Sequence, residues 1–252
     1  MRMVFLTALG VGGATVIGAV LGFLFKKISH KFSDIVLAFA AGVMLCAAVV
    51  GLVLPSLEYG GNSGFFVTVA GIFCGALCLN LLDKLVPHLH RLSGVDQEQH
   101  GDKAQQLNKV LLFVLAIAIH NLPEGIAAGV GFGTGNDGEA ITIAAGIALQ
   151  NIPEGMVIIA PMLAAGMSKG RTFVVAMLTG VVEVLGTLLG YFAVSISTAI
   201  LPFALAFAGG TMLYVISDEM IPETHAHGEE RGATYSLLAG FCLMLAMSHF
   251  LE

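Results

Sequence analysis

An all-α polytopic membrane protein is the fold class that this sequence predicts, and three observations predict it. Of 252 residues, 57% are hydrophobic and 11% charged, whereas a soluble domain runs at roughly 45–50% apolar and about 25% charged. Apolar runs of the length a spanning helix needs, about 20 residues, recur near 3–25, 35–57, 64–86, 108–132, 139–166, 172–194, 197–221 and 233–251, which makes eight spans. The connections are short, apart from the loop 87–107 and a smaller stretch from Pro222 to Ala233, so residues 1–252 read as one transmembrane domain with the lipid bilayer as its main partner.

The first span is too long for a cleaved leader, and Lys26, Lys27 and Lys31 follow its apolar run instead of preceding it. It is therefore expected to remain as a helix. The other basic residues then set the orientation: Lys84, Arg91, Lys103 and Lys109 flank the third connection, Lys169 and Arg171 the fifth, and Arg231 the seventh. Every basic residue except Arg2 thus lies in or beside an odd-numbered connection. Because cytoplasmic loops carry the excess Lys and Arg, both termini are expected outside, in a multi-pass protein of the cytoplasmic (inner) membrane.

Inside the spans, glycines recur four apart, as in Gly18 and Gly22 or Gly186 and Gly190. Small residues at this spacing let helices approach closely in lipid; smooth faces of this kind are also compatible with one group of helices sliding past another. Cys46, Cys74, Cys78 and Cys242 all fall within spans with no CxxC pair and read as small buried residues. A net charge of -6 offers no basic face for phosphates, which excludes nucleic acid as a partner.

Two connections carry histidine. The third, with His88, His90 and His100, reads as a solvated cytoplasmic loop that could also collect divalent metals. The seventh, ISDEMIPETHAHGEERG, packs Asp218, Glu219, Glu223, His225 and His227 within ten residues, dense enough to pass a divalent ion to the cytoplasm. A solvated acidic helix end accounts for the same residues.

The spans themselves hold few ionisable groups: His120 and Glu124 in the fourth, Glu154 in the fifth and Glu183 in the sixth. Such groups are costly in hydrocarbon and by default face a cavity or pathway. His120 and Glu124 lie four apart in HNLPEG, and Gln150 and Glu154 four apart in QNIPEG, so each pair shares one helix face. The short connection GTGNDGEA makes the two helices antiparallel neighbours and brings the motifs to a similar depth, which predicts a metal site between the fourth and fifth helices.

Pro123 and Pro153 lack an N–H, which frees the carbonyls of Ile119 and Leu149. Together with Gly125 and Gly155 they are expected to kink both helices and open space for the polar side chains. One imidazole, three carboxylates, the amide of Gln150 and those of Asn121 and Asn151 form a nitrogen and oxygen donor set without thiolate. That set suits Zn(II), Fe(II), Mn(II) or Cd(II) better than Cu(I). A helix-packing contact between His and Glu would explain one motif; two copies and Glu183 argue against it.

The pair HNLPEG and QNIPEG in consecutive helices, among eight spans and after a His-containing third loop, closely resembles the ZIP (Zrt/Irt-like) family of divalent metal transporters, and its bacterial members in particular. The resemblance implies uptake of zinc foremost, with iron, manganese or cadmium as further substrates, into the cytoplasm by alternating access. In its elevator form, helices 1, 4, 5 and 6 move against helices 2, 3, 7 and 8, commonly within a homodimer.

Carried over by motif, one metal uses His120, Glu124, Gln150 and Glu154. A second, adjacent one uses Asn121, Asn151 and Glu183, with Glu124 and Glu154 as bridges. No resident cofactor is implied beyond the bound and transported ion. Asp218 and Glu219, with Glu223 and His225 beyond them, match a cytoplasmic exit. Two letters depart from the pattern: Gln150 stands where many eukaryotic members carry His, and Asn151 where some prokaryotic ones carry Asp.

Two other functions use similar residues. An intramembrane zinc-dependent hydrolase would activate a metal-bound water, although no HExxH is present and His120 is the one histidine deep in a span. A proton relay could also run through His and Glu side chains.

Overall fold

The computed structural model describes residues 1–24, 29–85, 118–164, 166–228 and 230–251. Among these, seven helices are long and apolar enough to cross a membrane, and no strand forms. They are α1 (Arg2–Leu24), α2 (His30–Tyr59), α3 (Gly64–Leu85), α5 (Asp137–Ala164), α6 (Lys169–Ile196), α7 (Thr198–Thr224) and α8 (Glu230–Leu251). The fourth predicted span is helical over 118–131, here α4, and its remainder lies outside the described residues. The loop histidines His88, His90 and His100 lie outside them too.

Several helices begin earlier than the apolar runs predict. Ser29 caps α2 by accepting from the Phe32 N–H, Asn136 caps α5 through Gly138, and Ser168 caps α6 through Arg171. Each cap satisfies a backbone donor that the first turn cannot satisfy itself. The polar residues after the cap therefore join the helix although hydropathy alone starts the span later. At the other end, α7 continues through Pro222 to Thr224, so the seventh connection is shorter than the sequence suggests.

Neither α2 nor α7 is α-helical throughout. Ala47–Val53 and Ile216–Met220 are π-helical, and each precedes a proline, Pro55 and Pro222. A π turn absorbs an extra residue and redirects the side chains around it. By contrast α5 runs unbroken through Pro153 and is interrupted only at Ile158.

The helices pair selectively. α1 lies along α5 and α6, α3 along α7, and α2 along α8. Glycines fasten α4 to α6: a Cβ on Gly129 would strike the Thr187 carbonyl, and one on Gly186 or Gly190 would strike backbone of α4. The glycine pairs are thus packing contacts, as their spacing predicts. Two sets result, α1, α4, α5 and α6 in one and α2, α3, α7 and α8 in the other, and α2 meets α5 where they adjoin.

The exterior departs from that of a soluble protein, while the interior combines an apolar core with a polar cluster. Leu178, Val181, Leu185, Leu189, Phe192 and Ile196 line an outward face of α6, and Phe65, Phe66 and Phe73 face outward from α3. Inside lie His120, Asn121, Glu124, Gln150, Asn151 and Glu183. An apolar exterior suits lipid, and a polar interior marks where function sits. Of the four cysteines expected to be buried, only Cys46 is; Cys74 and Cys242 are exposed on this apolar exterior, where a small, weakly polar thiol costs little.

Candidate metal centre

The two motifs lie on neighbouring helices, and their side chains interlock. Gln150 Nε2 on α5 donates to Glu124 Oε1 on α4 at 3.0 Å. Glu183 on α6 is fully buried and accepts three donors: Thr15 Oγ1 of α1 at 2.6 Å and Asn121 Nδ2 of α4 on Oε1, and Asn151 Nδ2 of α5 at 2.7 Å on Oε2. One carboxylate therefore joins all four helices of its set.

The motif glycines make this possible. A Cβ on Gly125 would overlap the backbone carbonyl of Glu183, and a Cβ on Gly155 would overlap that of Thr15. The two PEG glycines thus seat α4 on α6 and α5 on α1, at the two residues that then bond to each other. They were expected to open space beside the prolines; instead they close it, because only a residue without a side chain allows backbones this near.

Donors and acceptors do not balance at the site. Asn121 Oδ1, Glu124 Oε2, Gln150 Oε1 and Asn151 Oδ1 are buried and accept no hydrogen bond from the protein. All four are acceptors, and the amide nitrogens beside them are already committed to carboxylates. A cation satisfies such a set, whereas a hydrogen-bond acceptor does not.

Charge points the same way. Glu154, which is half-buried, interacts electrostatically with His120, Glu219 and Glu124, and Glu124 also with Glu183. Four carboxylates linked in this way, with one imidazole among them, leave an excess of negative charge that a buried site does not hold without cations or protons. As they stand, no three His, Cys, Asp or Glu side chains among the described residues are gathered closely enough to hold a metal. The ligating groups are instead engaged with one another, Gln150 with Glu124, and Asn121 and Asn151 with Glu183.

The family model for ZIP zinc transporters matches residues 84–248. The chain is 41% identical to the zinc transporter GufA of Myxococcus xanthus over 94% of each protein. The chain belongs to the ZIP family. Two further bacterial relatives are the zinc transporter ZIPB of Bordetella bronchiseptica, 39% identical over 92% of this chain and 76% of that protein, and ZupT of Chlorobaculum parvum, 36% identical over 92% and 91%.

In this ZIP chain the residues expected at a cytoplasmic exit divide. Glu219 turns inward, its Oε1 3.0 Å from His120 Nε2. Asp218 and Glu223 are exposed. His225 is occupied with helix ends, its Nδ1 2.9 Å from the Ile221 carbonyl and its Nε2 3.3 Å from Thr234 Oγ1. His227 pairs with the buried Asp34 at 3.1 Å and stacks on His30. The contact of Thr15 with Glu183 carries no signal in the sequence, and neither does that of Glu219 with His120.

Proposed function

We propose that this chain carries a divalent transition metal, zinc foremost and iron, manganese or cadmium as further substrates, across the inner membrane into the cytoplasm. The observation that carries the reading is the set of four buried oxygens with no donor, between the two PEG motifs. Its bacterial relatives are zinc transporters, which agrees with it.

The ion is held by His120, Glu124, Gln150 and Glu154. Asn121, Asn151 and Glu183 border an adjacent second position, with Glu124 and Glu154 as bridges. His120 supplies the nitrogen that favours zinc over the hard cations, and the carboxylates balance its charge. Gln150 is neutral and holds Glu124 by its Nε2, so ion binding draws Glu124 toward the metal at the cost of that bond.

Passage uses alternating access, with α1, α4, α5 and α6 moving as one body against α2, α3, α7 and α8. The pairing of helices within these sets supports this division. So does the seam, where Gly51 packs on Ile143, and Gly146 on Met244 and Val43. Polar contacts cross the seam at His120–Glu219 and at Tyr59 Oη, which donates to the Thr134 carbonyl at 3.2 Å. Both must break when the bodies slide. Lys and Arg near the odd connections put the termini outside, and the exposed apolar faces are shared between lipid and a second copy in a homodimer.

Proteoliposomes containing the purified chain should accumulate Zn(II) down its gradient. The double variant Glu124→Ala, Glu154→Ala should bring uptake to the level of empty vesicles. Undiminished uptake in that variant would overturn the site. Hydrolysis of a peptide or lipid substrate without ion flux would instead favour the hydrolase reading, for which the zinc transporters named above do not argue.

A further inference from the structure

Threonines inside membrane helices ordinarily turn their hydroxyl back onto their own helix. Thr179, Thr187 and Thr211 do so, donating to the carbonyls of Ala176, Glu183 and Ala208. Thr15 does something else. Its hydroxyl crosses from α1 to α6 and donates to Glu183 Oε1 at 2.6 Å, with 2% of the residue exposed.

The consequence falls on the two asparagines. A primary amide can present either its oxygen or its NH2 to a cation, and only the oxygen binds it. Asn121 and Asn151 both give Nδ2 to Glu183, one to each carboxylate oxygen, which leaves both Oδ1 atoms without a donor. Reversing either amide would set oxygen against carboxylate. Asn151 Nδ2 also reaches the Val11 carbonyl, at a longer 3.4 Å, so Glu183 is the nearer of its two acceptors; a carboxylate is free to turn about its last torsion unless an oxygen is pinned.

We propose that Thr15 is a positioning residue of the metal centre: its hydroxyl pins Glu183, and Glu183 in turn keeps the amide oxygens of Asn121 and Asn151 available to the ion. Thr15 itself never touches the metal. Its reach depends on α1 lying close to its neighbours, which Gly155 on α5 and the facing pair Gly12 and Gly180 provide. The inference rests on the metal-site reading above and adds a residue from outside both motifs.

Equilibrium Co(II) binding to the purified full chain in detergent tests it, because the d–d absorption of the bound ion reports ligand geometry as well as occupancy. Thr15→Val keeps the shape and removes the donor; it should weaken binding about tenfold and change the band shape, the size expected for an outer partner of a ligand. Thr15→Ser keeps the donor and should restore affinity to within about twofold and return the wild-type spectrum, which a purely steric role would not do. Should the valine variant not fold, Thr15→Ala removes the same donor and should shift affinity and spectrum alike.

Wild-type affinity and spectrum in Thr15→Val, with binding lost in the Glu124→Ala, Glu154→Ala double variant, would overturn the role of Thr15 and leave the site standing. Full Co(II) binding by the double variant would overturn the site and this role with it.

Discussion

HNLPEG and QNIPEG are equivalent in backbone and unequal in side chains. In each, the glycine seats its helix on a neighbour and the asparagine gives its Nδ2 to Glu183. At the first letter they part. His120 reaches out of its four-helix set to Glu219 on α7, whereas Gln150 reaches inward to Glu124 of the sister motif. The repeated part of the motif builds the frame, and the variable letter decides which carboxylate the motif meets: Glu219 on α7 for His120, Glu124 of the sister motif for Gln150.

The equivalence is best broken at the glycines, where the largest effect is expected. Gly125→Ala and Gly155→Ala each drive a Cβ into a carbonyl that cannot retreat without separating two helices. Each should cost about 3 kcal/mol or more in thermal or denaturant melts of the purified protein, and the two losses should be similar. A clear disparity between them would show that only one PEG glycine is a true seat.

The inequality is best sharpened at the variable letter. Gln150→His makes the two halves alike, adds an imidazole and removes the donor that holds Glu124. Zinc affinity, read by competition with a chromophoric chelator, should rise about tenfold. An unchanged or weaker affinity would mean that Gln150 contributes more by holding Glu124 than a second imidazole can add.

A smaller change is expected from Glu219→Gln, which keeps the shape and removes the charge facing His120. The pair is partly exposed, at 10% and 18%, so its loss is of order 1 kcal/mol, about a fivefold change in uptake rate. Equilibrium affinity for zinc should move less than the rate does. Equal changes in both would make Glu219 an ordinary part of the binding site.

What the sequence discloses depends on what lipid penalises. Buried acids beside prolines stand out because hydrocarbon makes them costly, so His120, Glu124, Glu154 and Glu183 were visible from the spans alone. Helix ends were not: Ser29, Asn136 and Ser168 extend helices beyond the apolar runs through bonds that no hydropathy profile registers.

Thr15 was invisible for a related reason. A threonine in a span is satisfied by its own helix at little cost, so its presence signals nothing until the partner is seen. The pairing of Glu219 with His120 was equally hidden, since the two lie on different helices and no local pattern in either segment discloses the contact.

The carboxylate of Glu183 also bears on how such a chain can be made. Its three side-chain donors, Thr15, Asn121 and Asn151, all precede it in the sequence. A ribosome delivers the N-terminal segments first, so an acid that is costly to leave alone in the bilayer sits on the helix made last of the four. It meets its partners on arrival. Reversing that order, by permuting α6 to the front of the chain, would send an unaccompanied acid through the translocon.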